Sequence, residues 1–64
     1  MMFVKSKDGQ LINLAHVVTI DYEEDGTLVL YTSTFDRYKV EAKYRERLET
    51  ALRRINESVI FSAK

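Results

Sequence analysis

Apolar and polar residues alternate over much of the first forty positions, and two Asp-Gly pairs, at Asp8-Gly9 and Asp25-Gly26, interrupt the alternation. An Asp-Gly pair between strand-forming segments is the strongest short-range signal for a β-hairpin. We therefore predict two hairpins, followed by a further short strand over residues 35–40 after a turn near residues 32–34.

Polarity selects the length of the hairpin loops, because residues opposite each other in an antiparallel pair share a face of the sheet. A two-residue loop at Asp25-Gly26 would place Asp21 and Glu23 opposite leucines. A three-residue loop with Gly26 in a left-handed bulge position gives one apolar face instead. It pairs Tyr22 with Leu28, Ile20 with Leu30 and Val18 with Thr32, and the same loop at Lys7-Asp8-Gly9 groups Met2, Val4, Ile12 and Leu14.

The spacing of apolar residues changes after about Glu41 to the three-and-four pattern of an amphipathic helix. The residues that follow it are Tyr44, Leu48, Ala51, Leu52, Ile55 and Val59. A helix with one apolar stripe has to cover a face of the sheet. We predict an α+β fold over residues 1–64 as a single domain: a small antiparallel meander sheet of four or five strands packed by one C-terminal helix.

The small size of the chain suggests self-association. A domain of 64 residues has little hydrophobic core, and the sequence contains no cysteine and one histidine, so disulfides and zinc cannot supply the missing stability. We therefore expect a homo-oligomer, most simply a dimer. No apolar segment has the length of a membrane span or of a secretory signal, and we expect a cytoplasmic protein with no membrane contact.

Charge is balanced overall and uneven along the chain. Residues 1–36 hold two basic and six acidic residues, whereas residues 37–64 hold eight basic and four acidic ones. Helical spacing places three cations of the predicted helix beside its apolar stripe, and two strand cations could extend this group. This basic set is Arg37, Lys39, Lys43, Arg47 and Arg54. It is a candidate surface for a protein partner or a nucleic acid, and a merely solvated face is the alternative.

Residues with catalytic chemistry are few. His16 has no identifiable nucleophile or carboxylate partner, and no motif for a metal, a cofactor or a phosphate is present. We expect no enzyme, no cofactor and no metal site. Tyr31, Phe35 and Tyr38 could stack on bases of a single-stranded nucleic acid, or could belong to ordinary packing.

The apolar segment Val59-Ile60-Phe61 near the C-terminus needs cover, and we treat it as the candidate oligomer contact. It could extend the helix over the sheet. Alternatively, it could pair as a strand with the edge of residues 2–5 in a neighbouring copy, which would give a two-fold dimer.

The order D-G-Q-L-I-N-L, V-V-T-I, D-G-T-L-V-L, Y-K-V and a terminal helix resembles the layout of the small FlbD-type flagellar proteins. The resemblance spans most of residues 3–55 and carries no site residue. The layout also resembles that of the carbon storage regulators, which are small RNA-binding dimers. This chain lacks their L-T-R opening and their Ala-Pro and V-H-R signatures, so no RNA-binding residue is transferred.

These observations together predict a small non-catalytic interaction or oligomerisation module that binds a protein partner. The alternative is a weak single-stranded RNA- or DNA-binding protein that uses the basic set and the sheet aromatics. The neutral net charge disfavours the nucleic-acid alternative.

Overall fold

A computed structural model of the protein describes residues 3–55 and 60–61. These residues form five strands, one helix and a short final strand, and two 3₁₀ turns, Leu14–His16 and Ala42–Tyr44, lie between them. The elements are β1 (Phe3–Lys5), β2 (Leu11–Asn13), β3 (Val17–Tyr22), β4 (Leu28–Thr32), β5 (Arg37–Val40), α1 (Arg45–Ile55) and β6 (Ile60–Phe61).

The α+β class with antiparallel hairpins and one C-terminal helix is confirmed, but the strands are divided between two sheets instead of forming one meander of four or five strands. β1 and β2 form a separate antiparallel pair, and the larger sheet has the order β5-β4-β3-β6, in which β6 runs parallel to β3. The separation arises at the first 3₁₀ turn, where the Asn13 side chain accepts a hydrogen bond from the Ala15 amide and redirects the chain. The first hairpin still touches the larger sheet, because the Lys7 amide donates to the Lys39 carbonyl at 2.8 Å.

Both predicted hairpin registers are confirmed close to their loops. Val4 lies opposite Ile12 in the first hairpin, and Tyr22 and Ile20 lie opposite Leu28 and Leu30 in the second. The expected pairing of Val18 with Thr32 is wrong. A bulge at Val18 brings Val17 opposite Thr32, so that Val17 is buried while Val18 remains 41% exposed. Met2 lies outside the described residues.

The helix packs on the sheet as the apolar stripe predicts. Leu48, Ala51 and Leu52 of α1 join one buried cluster with Leu28 and Leu30. The rest of the cluster is Ile12, Leu14, Val17, Ile20 and Val40.

The first and last residues of the predicted apolar stripe differ from the prediction. Residues 42–44 form a 3₁₀ turn, in which the preceding Glu41 makes no side-chain capping bond, and the α-helix itself begins at Arg45. Ile55 is 42% exposed, and Val59 lies outside the described residues. Within residues 3–55 and 60–61, no helix is long and apolar enough to cross a membrane.

Candidate interaction surface

In the described part of the chain, three turns join antiparallel strands, over residues 6–10, 23–27 and 32–36, and all three have the same backbone geometry. In each turn, the amide of the first residue donates to the carbonyl of the fifth, and the amide of the fourth residue donates to the carbonyl of the first. The nitrogen–oxygen distances are 2.8 to 3.1 Å. The fourth residue has a positive φ in every case: +86° at Gly9, +91° at Gly26 and +66° at Phe35. These are three-residue loops with a bulge, as predicted for the first two hairpins.

The third turn, residues 32–36, departs from the other two because a phenylalanine occupies the position that favours glycine. A Cβ atom makes the left-handed conformation costly, on the order of 1–3 kcal/mol for such a strained residue. Phe35 is also 97% exposed, so its ring gains almost nothing from burial in this chain. Neither the backbone nor the core of the protein therefore explains a phenylalanine at this position.

Side chains hold the third turn in shape. The Thr34 hydroxyl donates to the Asp36 carboxylate at 2.9 Å and lies 3.0 Å from the Thr32 hydroxyl. The Thr32 hydroxyl also accepts from the Asp36 amide at 3.2 Å, and the Ser33 amide donates to the His16 carbonyl at 2.8 Å. A strained residue persists only where its surroundings fix it, and these bonds hold Phe35 in place.

A small cleft lies between the third turn and the outer face of the first hairpin. Its volume is about 190 Å³, and Thr34 and Asp36, the neighbours of Phe35, lie on one side of it. Phe3 and Leu11, which are 50% and 67% exposed, lie on another. Large exposed apolar side chains therefore surround this end of the molecule.

A second cavity, which we call the helix cavity, lies between the first hairpin and α1. It has a volume of about 260 Å³, and its walls are mainly apolar. Lys5 and Arg47 bring two cations to it. The remaining lining residues are Phe3, Val4, Leu14, Tyr44, Leu48 and Ala51.

The strand and turn members of the basic set each meet different neighbours. Lys39 pairs with Glu23 at 3.0 Å on the surface. Lys43 lies 3.8 Å from Glu41 and 5.2 Å from the centre of the Tyr44 ring. Arg37 is exposed on β5 opposite Tyr31.

The helix members of the basic set lie together. Arg47 and Arg54 line one shallow depression on α1, and Glu46 shares it. Lys43 lines a different depression, with Asp25 and Thr27. The structure thus brings together Arg47 and Arg54 and intersperses acidic residues among the others.

Ile60 and Phe61 of the candidate oligomer contact form a strand, as one of the two alternatives predicted, but their partner strand lies in the same chain. Ile60 and Phe61 pair with Thr19 and Ile20 of β3 in parallel. Extension of the helix through these two residues is therefore wrong. Val59 lies outside the described residues.

One polar cluster ties the sheet to the helix. The Tyr22 hydroxyl donates to the Glu49 carboxylate, and the Arg45 Nε donates to the same carboxylate oxygen at 3.2 Å. The Arg45 guanidinium lies 4.7 Å from the centre of the Tyr22 ring. Burial, the hydrogen bond to Glu49 and the negative charge of Glu49 together raise the pKa of Tyr22 to about 12, against the opposing charges of Arg45 and Arg53. This cluster has a structural role, since it fixes α1 on β3.

The remaining polar groups form no reactive arrangement in the part of the chain that the structure describes. No group of three or more histidine, aspartate or glutamate residues there could hold a metal ion. His16 is exposed beside the small cleft, where Asn13 and Asp36 also lie.

Comparison with known proteins gives no match: no family model, no curated protein and no solved structure is similar to this chain. The resemblance to FlbD-type flagellar proteins stays a prediction.

Proposed function

We propose that this protein is a cytoplasmic, non-catalytic interaction module that docks on a protein partner through the third turn. The observation that carries the proposal is Phe35, which keeps a left-handed backbone and is 97% exposed. Aromatic side chains that enter a partner's pocket supply a large share of the binding energy at protein interfaces. A rigid turn that presents one ring loses little conformational entropy when it binds.

The charges around the ring favour a protein over a nucleic acid. Asp36 follows Phe35 directly, and a carboxylate beside the ring repels phosphate groups. Lys39 and Lys43 lie close to Glu23 and Glu41. The partner that matches this chemistry has an apolar pocket of the size of a phenyl ring with a cation at its rim.

Site-specific photo-crosslinking tests the proposal. A benzoylphenylalanine residue is placed at position 35 or, as the matched control, at position 9, which has the same backbone conformation in the first turn. We expect a discrete protein adduct from position 35 only, and we expect excess wild-type protein, but not the Phe35→Gly variant, to compete it away. Equal adducts from both positions, or none from position 35, contradict the proposal.

The nucleic-acid alternative has its own readout. Arg47 and Arg54 of the basic set share one depression, and the acidic residue Glu46 also lines it. We expect no anisotropy change with a labelled single-stranded oligonucleotide pool at low salt. A salt-dependent change that Lys43→Glu with Arg47→Glu abolishes would establish the alternative.

A further inference from the structure

We propose that the partner is a second copy of this chain, in which Phe35 of each copy enters the helix cavity of the other. This inference rests on the proposed function, because it assigns an occupant to the same turn. Two features of the helix cavity point to it: its size and its charge.

The size of the helix cavity suits a phenyl ring. Its volume is about 260 Å³, and an apolar cavity of about 150 Å³ in another protein is large enough to bind benzene. Val4, Leu14, Leu48 and Ala51 contribute aliphatic walls from β1, the first 3₁₀ turn and α1. Leu14, Leu48 and Ala51 belong to the buried cluster of the fold and Val4 packs against it, so the cavity does not have to be assembled when a ring enters.

The charges of the two surfaces are opposite. Asp36 lies beside the ring, whereas Lys5 and Arg47 line the helix cavity. None of these three residues forms an ion pair with another residue that the structure describes. Docking of the third turn would bring Asp36 toward two cations, and such complementarity fixes orientation and excludes other partners.

A closed dimer follows from having both surfaces on one chain. Two-fold symmetry pairs the ring of each copy with the cavity of the other, so the same contact forms twice. Each phenyl ring can bury on the order of 150 Å² or more. Two such contacts form the core of a small interface, for which we expect a dissociation constant of about micromolar order.

Sedimentation velocity of the full chain tests the inference over a wide range of concentrations, from about 1 to 500 μM around that expected constant. We expect the wild type to change from monomer to dimer. Phe35→Gly should raise the dissociation constant at least about tenfold, because it removes the ring from both contacts. The matched control is Val18→Ser, which removes an exposed apolar side chain that lines neither the small cleft nor the helix cavity and should leave the constant unchanged.

A charge exchange identifies the contact. Asp36→Arg and Arg47→Asp should each weaken the dimer, and the double variant should recover most of the loss, since it restores an opposite pair. Circular dichroism verifies that every variant is folded. A monomeric wild type at the highest concentration overturns the inference, as does a Phe35→Gly variant that dimerises as well as the wild type.

The outcomes separate this inference from the proposed function. A monomeric wild type that still crosslinks from position 35 to a different protein overturns the second-copy inference and leaves the interaction module supported. A monomeric wild type with no crosslink from position 35 overturns both.

Discussion

The two glycine turns offer a matched pair of substitutions, Gly9→Ala and Gly26→Ala. Both glycines have a positive φ, +86° and +91°, so both variants place a Cβ atom in the same unfavourable backbone conformation. Their surroundings differ. A Cβ at Gly9 meets no atom within 4 Å, whereas one at Gly26 lies 3.2 Å from the Cβ of Ala42.

The magnitudes follow from this difference. The left-handed conformation costs an alanine about 1–2 kcal/mol, and the smaller entropy of the unfolded chain offsets up to about 1 kcal/mol of that. We therefore expect Gly9→Ala to lower the free energy of unfolding by about 1 kcal/mol. Gly26→Ala should lower it by about 2 kcal/mol, because the 3₁₀ turn that carries Ala42 has to shift.

Urea denaturation followed by circular dichroism measures both free energies. A double-mutant cycle with Ala42→Gly isolates the contact: we expect a coupling of about 1 kcal/mol with Gly26→Ala and none with Gly9→Ala. If the two single variants lose the same stability, or if Ala42→Gly is coupled equally to both, the reasoning about the Gly26 contact is refuted.

Two further predictions concern the attachment of the helix to the sheet. Tyr22→Phe should lower the free energy of unfolding by about 1 kcal/mol at neutral pH, since it removes the hydrogen bond to Glu49. Because the pKa of Tyr22 is raised to about 12, this contribution is complete below about pH 10, the unfolded value, and is lost as the pH rises to about 12. Urea denaturation between pH 8 and pH 12, about two units either side of that unfolded value, should show that the free energies of unfolding of Tyr22→Phe and the wild type become more similar as the pH rises. A difference that stays constant with pH contradicts this prediction. Leu52→Ala should lower the free energy of unfolding by about 2–5 kcal/mol, because Leu52 is fully buried. Ile55→Ala should lower it by less than about 1 kcal/mol, because the Ile55 side chain is 42% exposed. Equal losses of stability in thermal unfolding contradict this packing.

The hairpins were predictable because their signals are local. Asp-Gly pairs mark the turns, and the requirement that Tyr22 and Leu28 share an apolar face sets the loop length. The third turn has no glycine, so the sequence indicates a turn near residues 32–34 without indicating its type. The structure shows the same loop there because threonine and aspartate side chains take over the stabilising role.

Features that depend on distant residues were not predictable in the same way. Glu49 belongs to a regular series of opposite charges on the helix, which indicates a surface ladder, and its pairing with Arg45 is part of that series. Its bond to Tyr22 joins residues 27 positions apart and requires the packed fold. The same holds for the pairing of β6 with β3, since an apolar segment does not specify which edge it joins.

The candidate surface was predictable only in part. Charge spacing indicates the basic set, yet the pairing of Lys39 with Glu23 depends on the β3–β4–β5 arrangement. Phe35 is one of seven aromatic residues in the sequence, and nothing local separates it from those that pack. Only its positive φ together with its exposure sets it apart.

The Phe35 ring serves binding in this proposal and does not support its own fold. The free energy of unfolding of Phe35→Gly, measured by urea denaturation at a concentration where all variants are monomeric, tests this directly. We predict that Phe35→Gly is more stable than the wild type by about 1 kcal/mol, since glycine relieves the backbone strain. Phe35→Ala keeps a Cβ atom, so its free energy of unfolding should stay close to that of the wild type. A Phe35→Gly variant that is less stable than the wild type by 1 kcal/mol or more, on the order of a lost packing contact, would contradict it.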